Sequence, residues 1–223
     1  MVAFPLEGYC IIAFQSCAHQ SVRFRHSCFV YATIPIPLDG FIIMNETHPL
    51  AWHSALISVP YHQRTWLQDR GSLTRRIQER CAHFSVKPVF QSLSKVYGDE
   101  LDVIGLRHRE LAMVREVFLY CGGTPVVFAH SIVARKNLQG AWRGLSRLGN
   151  KSLGTVLFTN PRIKRTPLVF KKVSQGHFLY DRACAQLPVK PLNLWARRSL
   201  FSLHGQSILV TEVFLPSILN LQS

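Results

Sequence analysis

The chain has 223 residues, of which 48% are hydrophobic and 17% charged, a balance typical of a globular protein with a substantial core. No apolar run approaches the roughly 18 residues of a membrane-spanning helix, so we expect a soluble protein. The net charge of +14 invites comparison with nucleic-acid-binding proteins, but the basic residues are diffuse and show no zinc-finger spacing or RNA-recognition signature. A small anionic substrate explains this charge equally well.

Cysteine and histidine spacing gives no sign of a metal site. The six cysteines include no CxxC pair, and the ten histidines include no HxxxH pair. This pattern predicts neither a disulfide framework nor a zinc site, and we expect no metal.

Residues 1–43 differ from the rest of the chain. They are apolar without sustained helical or strand periodicity, and no Lys or Arg precedes Arg23, which argues against a signal peptide. Met44 is followed by a polar stretch that resembles the start of a protein. We therefore expect residues 1–43 to be a non-native or disordered extension and 44–223 to form one domain; a genuine extension that packs on the domain is the alternative.

The first predicted elements are two short helices broken at Gly71. YHQRTWLQDR and GSLTRRIQERC carry apolar residues at helical spacing, and Ser72 is a suitable N-cap for the second. HFSVKPVFQSL alternates as a strand does, and GDELDVIGLRHRE is predicted to be a loop.

A β-hairpin and two further helices are predicted next. LAMVREVFLY and PVVFAHSIV flank Gly122-Gly123, the composition that a two-residue hairpin turn requires. A helix is predicted over 138–148, ending at Gly149, and a shorter one through Phe158 capped by Asn150 or Ser152.

Three strand candidates close the chain: TPLVFKKVSQGHFLY, LNLWARRSLFSL and ILVTEVFLP. Adjacent strands joined mostly as hairpins predict an α+β fold, with an antiparallel sheet of about six strands and helices on one side.

Two strands each place a charge among apolar residues. Alternation puts Arg115 on one face with Val117, and Glu212 on one face with Val210. An isolated buried ion is costly, so each charge needs a partner. The structural interpretation is a buried Arg115–Glu212 salt bridge or two side chains at strand edges that reach water. The functional interpretation is a closed pocket in which Arg115 holds a carboxylate and Glu212 handles a hydroxyl or a proton.

Three segments together resemble the chorismate pyruvate-lyases: VREVFLYCGGTPVVFAHSIV, LSRLGNKSLGTVLFTNPRIKR and LWARRSLFSLHGQSILVTEVFLP. The resemblance covers roughly residues 60–219 and is strongest in the last segment. It implies a carbon-oxygen lyase that makes 4-hydroxybenzoate and pyruvate from chorismate for ubiquinone biosynthesis. It also implies a monomeric bacterial cytoplasmic enzyme that needs no cofactor, nucleic acid or membrane.

The resemblance also assigns site residues. The ligand-binding positions of the family fall on Arg115, Leu153 and Glu212, with Leu153 contributing its backbone, near the start of a helix that attracts anions. Arg115 and Glu212 are the expected catalytic residues. A fourth binding position, methionine in the family, falls on Leu73, an exchange that conserves volume. His130 stands where the family has arginine, and it is left outside the predicted site.

Alternatives remain for the basic residues and for the activity. Arg165 and Arg197 or Arg198 either recruit a dianion at the pocket mouth or have solvated structural roles. The family's fold is similar to the effector domain of some GntR-type regulators, so a ligand-sensing domain without catalysis is the second interpretation. Such regulators carry an N-terminal winged helix, and residues 1–59 show no helix-turn-helix pattern.

Overall fold

The structure is a computed structural model that describes residues 51–221. The predictions for residues 1–43 and for Met44 lie outside this range. The described helices are α1 Tyr61–Leu67, α2 Leu73–Gln78, α3 Gly98–Ile104, α4 Leu153–Thr159 and α5 Phe178–Ala183. The strands are β1 Phe84–Ser94, β2 Ala112–Cys121, β3 Thr124–Ala134, β4 Lys164–Arg165, β5 Val169–Ser174, β6 Asn193–Leu203 and β7 Gln206–Phe214.

These strands form a seven-stranded antiparallel sheet in the order β1-β2-β3-β7-β6-β4, with β5 also paired to β6. The predicted α+β class and antiparallel sheet are therefore confirmed. The β2–β3 hairpin turns at Gly122 and Gly123, whose φ angles of 55° and 87° lie in the region that favours glycine.

The predicted helix starts at Ser72 and Ser152 are also confirmed. The Ser72 side chain accepts a hydrogen bond from the backbone N–H of Arg75, and Ser152 accepts one from that of Gly154. A serine side chain satisfies a backbone donor that has no partner within the helix itself, so both serines fix where their helices begin.

Other segments differ from prediction. The segment predicted as a loop contains α3, in which Glu100 accepts a hydrogen bond from the Tyr97 N–H and Gly105 ends the helix in a left-handed conformation. The predicted helix over 138–148 is replaced by two 3-10 helices, Arg135–Gln139 and Arg143–Arg147. The strand predicted over 166–180 is β5 followed by α5, because the chain turns at Gly176.

The helices cover both faces of the sheet, which corrects the prediction of one covered face. Val117 and Leu119 of β2 pack in a cluster with Leu67, Leu73 and Ile77 from α1 and α2. The alternate residues of β2, among them Phe118, pack with residues of α5 on the opposite face. A strand with apolar residues on both faces requires cover on both, and nearly all of β2 is buried.

A disulfide joins Cys81 to Cys121, which corrects the prediction that cysteine spacing holds no disulfide. It ties the residues just after α2 to the end of β2, across 40 residues of sequence. Cys184 is buried and free.

Candidate active site

A cavity with an empty volume of about 590 Å³ lies between the sheet and helices α2 and α4. Pockets that bind small organic molecules are concave and mostly apolar, with a few placed polar groups. Most of its lining is apolar, with few charged side chains, as such pockets commonly have. The lining residues are Gly71, Leu73, Thr74, Arg115, Val117, Leu119, Ala129, Ser131, Ser152, Leu153, Gly154, Leu157, Phe158, Arg165, Phe201, Val210 and Glu212.

All four residues of the predicted site line this one cavity. Arg115 and Glu212 come from the sheet, Leu73 from α2 and Leu153 from α4. The predicted shared faces are confirmed as well, since Val117 lines the cavity with Arg115 and Val210 lines it with Glu212. The structure thus brings the predicted residues together, whereas their roles stay predictions.

Strand pairing sets the separation of the two charges. Arg115 lies opposite Ser131, and Ser131 lies opposite Val210 in the next strand. One row further along, Ala129 lies between Val117 and Glu212. The backbone positions of Arg115 and Glu212 are therefore two strand spacings apart, about 10 Å across the sheet, and are also offset by two residues along the strands, with small side chains between them. A ligand can lie over these small residues and reach both charged groups.

The cavity roof is formed where α2 meets α4. The hydroxyls of Thr74 and Ser152 are hydrogen-bonded at 2.5 Å. Gly154 allows this approach, because a Cβ at that position would lie 2.9 Å from the Thr74 hydroxyl oxygen. Leu73 and Leu153 each lie at the first position of their helix, so this junction places both on the cavity.

Arg115 is held by backbone carbonyls. Its Nη2 donates to the carbonyl oxygens of Gly149 and Lys151 at 2.9 and 3.0 Å, and its Nε has no hydrogen-bond partner within residues 51–221. The residue is 4% exposed, and burial lowers the pKa of the guanidinium by disfavouring its charge. A bound anion would offset that cost and satisfy the remaining donor.

Glu212 pairs with Arg197 and not with Arg115. Arg197 Nε donates to Glu212 Oε2 at 2.6 Å across the β6–β7 pair. Arg197 is 1% exposed, and its Nη1 also donates to the carbonyls of residues 66, 67 and 69. The proposed Arg115–Glu212 salt bridge is therefore wrong, and so is a solvated role for Arg197.

The other two arginines considered at the pocket mouth lie on opposite faces of the sheet. Arg165 lines the cavity, where its Nε donates to the Ser199 hydroxyl at 2.8 Å and its Nη1 to the Arg70 carbonyl at 2.9 Å. Arg198 follows Arg197 on β6 and so points to the other face, where it pairs with Asp99 at 3.2 Å. Arg198 is 8% exposed, so a solvated role is wrong for this residue also.

His130 lies on the face opposite the cavity. Its ring nitrogens are 3.3 Å from Glu100 and 3.1 Å from Glu116, and all three residues are almost fully buried. Desolvation lowers the pKa of His130, but the two carboxylates outweigh it and raise that pKa to about 9. Glu116 also meets Arg182 at 3.1 Å. These groups hold α3 and α5 to the sheet, and none of them lines the cavity.

Sequence reasoning missed Arg197 as the partner of Glu212, and it missed Ser131 and Ala129 between the charges. Ser131 and Ala129 could have been predicted from the β2–β3 hairpin. Residues directly opposite Arg115 and Val117 in the neighbouring strand lie on the same face of the sheet as these two residues. Among the described residues, no group of three His, Cys, Asp or Glu side chains is arranged to hold a metal ion. Within the same residues, no helix has the length and apolar character needed to cross a membrane.

Comparison with known proteins identifies the family. The chorismate lyase family model matches residues 49–222. A protein of Nitrosospira multiformis named "Probable chorismate pyruvate-lyase" is 68% identical over 179 residues, covering 80% of this chain and 99% of that protein. One of Nitrosomonas europaea with the same name is 61% identical over 178 residues, covering 80% and 100%.

Solved structures align more weakly. The effector domain of PhnF from Mycobacterium smegmatis aligns with a TM-score of 0.47 and 12% identity, covering 66% of this chain and 90% of that domain. With the family model spanning residues 49–222 and relatives matched over nearly their whole length, the chain belongs to the chorismate lyase family.

Proposed function

We propose that this protein is a chorismate pyruvate-lyase, which eliminates pyruvate from chorismate and releases 4-hydroxybenzoate. The observation that supports this most directly is the cavity that Arg115 and Glu212 share, with apolar walls between them. Chorismate has a ring carboxylate at one end and a hydroxyl beside an enolpyruvyl ether at the other. The cavity offers a cation and a carboxylate in a matching arrangement.

The reaction depends more on the orientation of the substrate than on strong acid or base catalysis. The bond between the ring and the ether oxygen breaks, and the hydrogen on the hydroxyl-bearing carbon leaves as a proton. The released enolpyruvate takes up a proton to become pyruvate, and the ring becomes aromatic. Because aromatisation supplies much of the driving force, the enzyme's task is to orient the substrate and exclude water.

Arg115 binds the ring carboxylate in this proposal. Its unpartnered Nε and its burial supply a charged donor inside an apolar cavity, where an ion pair is stronger than in water. The backbone N–H of Leu153 assists, since it lies at the start of α4, where N–H groups have no acceptor within the helix.

Glu212 accepts a hydrogen bond from the ring hydroxyl. Its pairing with Arg197 at 2.6 Å engages one carboxylate oxygen and fixes the orientation of the group, and a carboxylate has acceptor sites on both oxygens. This geometry supports Glu212 as a hydrogen-bond acceptor for the hydroxyl end of the substrate. Leu73 closes the cavity over the ring as an apolar contact.

The wider setting of the reaction follows from the family resemblance. We extend the proposal to a cofactor-independent, monomeric enzyme of the cytoplasm that supplies 4-hydroxybenzoate to ubiquinone biosynthesis.

The test is to incubate the purified protein with chorismate and a chelator, and to measure 4-hydroxybenzoate and pyruvate. We expect both products in equal amounts. Folded protein that binds chorismate without converting it would contradict the proposal and favour a ligand-sensing role instead.

A further inference from the structure

The proposed substrate carries two carboxylates, and Arg115 accounts for one. The second belongs to the enolpyruvyl group, which is attached to the ring carbon next to the one that bears the hydroxyl. If the hydroxyl contacts Glu212, the enolpyruvyl carboxylate must lie close to the Glu212 end of the cavity. A carboxylate there, beside Glu212, needs a cation to offset repulsion between like charges.

Two cationic side chains line the cavity within the described part of the chain, Arg115 and Arg165. Arg165 belongs to β4, which pairs with β6. Its Nε is anchored on Ser199, two residues from Arg197, the residue that holds Glu212. Arg165 therefore lies at the end of the cavity opposite Arg115, near Glu212.

The electrostatics of Arg165 agree with this position. Desolvation lowers the pKa of its guanidinium, and the largest opposing influence is the negative charge of Glu212. A second anion would be attracted to this guanidinium as well. Because the guanidinium is partly desolvated, water screens its interaction with an anion less than it would at the protein surface.

The side chain is also held in place before any ligand binds. Nε and Nη1 are fixed by Ser199 and by the Arg70 carbonyl, and the guanidinium lies over the rings of Phe158 and Phe201, 5.5 and 5.0 Å from their centroids. For Nη2, residues 51–221 provide no hydrogen-bond partner. A preorganised arginine loses little side-chain entropy when it binds a carboxylate.

We propose that Arg165 is a substrate-binding residue that receives the enolpyruvyl carboxylate and so distinguishes chorismate from its product. This inference rests on the proposed function. Arg115 binds the carboxylate that substrate and product share, whereas Arg165 binds the carboxylate that the product lacks.

A matched pair of ligands tests the assignment on the intact protein. The first, 3-carboxymethoxy-4-hydroxybenzoate, has a second carboxylate where chorismate has its enolpyruvyl group; the second, 3-methoxy-4-hydroxybenzoate, lacks it. We expect calorimetry to show that wild-type protein binds the first roughly tenfold to a hundredfold more tightly. A wild-type preference below about threefold would overturn the proposal without any variant being needed.

In the variant Arg165→Gln, the affinities for the two ligands should differ by no more than about threefold, mainly because binding of 3-carboxymethoxy-4-hydroxybenzoate becomes weaker. Arg162→Gln is the control, because it removes the same charge from an exposed position outside the cavity lining, and it should leave the preference unchanged. Equal weakening of both ligands by Arg165→Gln would indicate a structural role, and an unchanged preference would indicate no role. Either result overturns the proposal.

The two proposals fail in different ways. Wild-type protein that neither converts chorismate nor binds 4-hydroxybenzoate would contradict the proposed function. Wild-type protein that does both, but shows no preference within the ligand pair, would contradict only the assignment of Arg165.

Discussion

Arg115 and Glu212 are both charged residues in apolar strands, but different groups hold them. Two backbone carbonyls hold Arg115, while the charge of Arg197 holds Glu212. No carboxylate of the described residues pairs with Arg115, so its guanidinium can pair with a ligand anion, whereas Glu212 offers a carboxylate oxygen whose orientation is fixed by its neighbour. This difference predicts different kinetic effects when each is neutralised.

Arg115→Gln should raise the KM for chorismate and weaken 4-hydroxybenzoate binding, each by roughly tenfold to a hundredfold, because it removes a charged hydrogen bond. Glu212→Gln should instead lower kcat by roughly a hundredfold with a smaller change in KM, because its contact with the hydroxyl end matters most as the ring reacts. Steady-state kinetics, with thermal unfolding to verify the fold, distinguishes them. Normal turnover by Glu212→Gln would contradict a role in the chemical step.

At the scale of elements, the charge cluster around His130 connects α3, α5 and the sheet. Glu100 comes from α3, Glu116 from β2 and Arg182 from α5, and Lys95 lies near the same small pocket. The folded-state pKa of His130 is raised to about 9, so its stabilising charge is fully present below about pH 6.5 and is lost as pH rises through 9.

The neutral variant His130→Gln should therefore be less stable than wild type at pH 6, by on the order of 3 kcal/mol, and the difference should shrink as pH approaches 10. Urea unfolding at several pH values measures it. His108→Gln, at an exposed position, is the control and should show no such trend. A difference between wild type and His130→Gln that does not vary with pH would contradict the role of the histidine charge.

The disulfide Cys81–Cys121 connects α2 to β2. It joins the residues just after α2 to the last residue of β2. For a loop of 40 residues, chain entropy predicts that its loss lowers the free energy of unfolding by roughly 3–4 kcal/mol.

Reduction of the wild-type protein and the variant Cys121→Ala should have this effect to similar extents, as measured by denaturant unfolding. Reductant added to Cys121→Ala should have little further effect, which is the control. Unchanged stability of the wild-type protein after full reduction would show that the bond contributes nothing.

Across the protein as a whole, the sequence predicted which side chains share a face with Arg115 and with Glu212, because strand alternation depends only on spacing. Val117 with Arg115 and Val210 with Glu212 could be assigned to shared faces in this way. The partner of Glu212 could not be assigned in this way, because β6 has Arg197 and Arg198 in succession and only the strand register decides which one pairs with Glu212.

Three further features escaped sequence reasoning for different physical reasons. Helix α3 has acidic residues in its first turn and a glycine at its end, both of which are typical of a helix. The segment was nevertheless predicted to be a loop, because polar residues follow it. The helices cover both faces of the sheet because of the way in which the long connections between strands pack, and local sequence patterns do not determine that packing. Cysteines 40 residues apart meet only because α2 and β2 are neighbours in the fold.

We propose that the cavity between the sheet and helices α2 and α4 binds chorismate, with Arg115 at the ring carboxylate and Glu212 at the hydroxyl. A crystal structure with bound 4-hydroxybenzoate would show this arrangement or its absence. We predict the carboxylate within hydrogen-bonding distance of Arg115 and the Leu153 N–H, and the hydroxyl on Glu212. A product molecule bound elsewhere, or bound here in the reverse orientation, would contradict the claim.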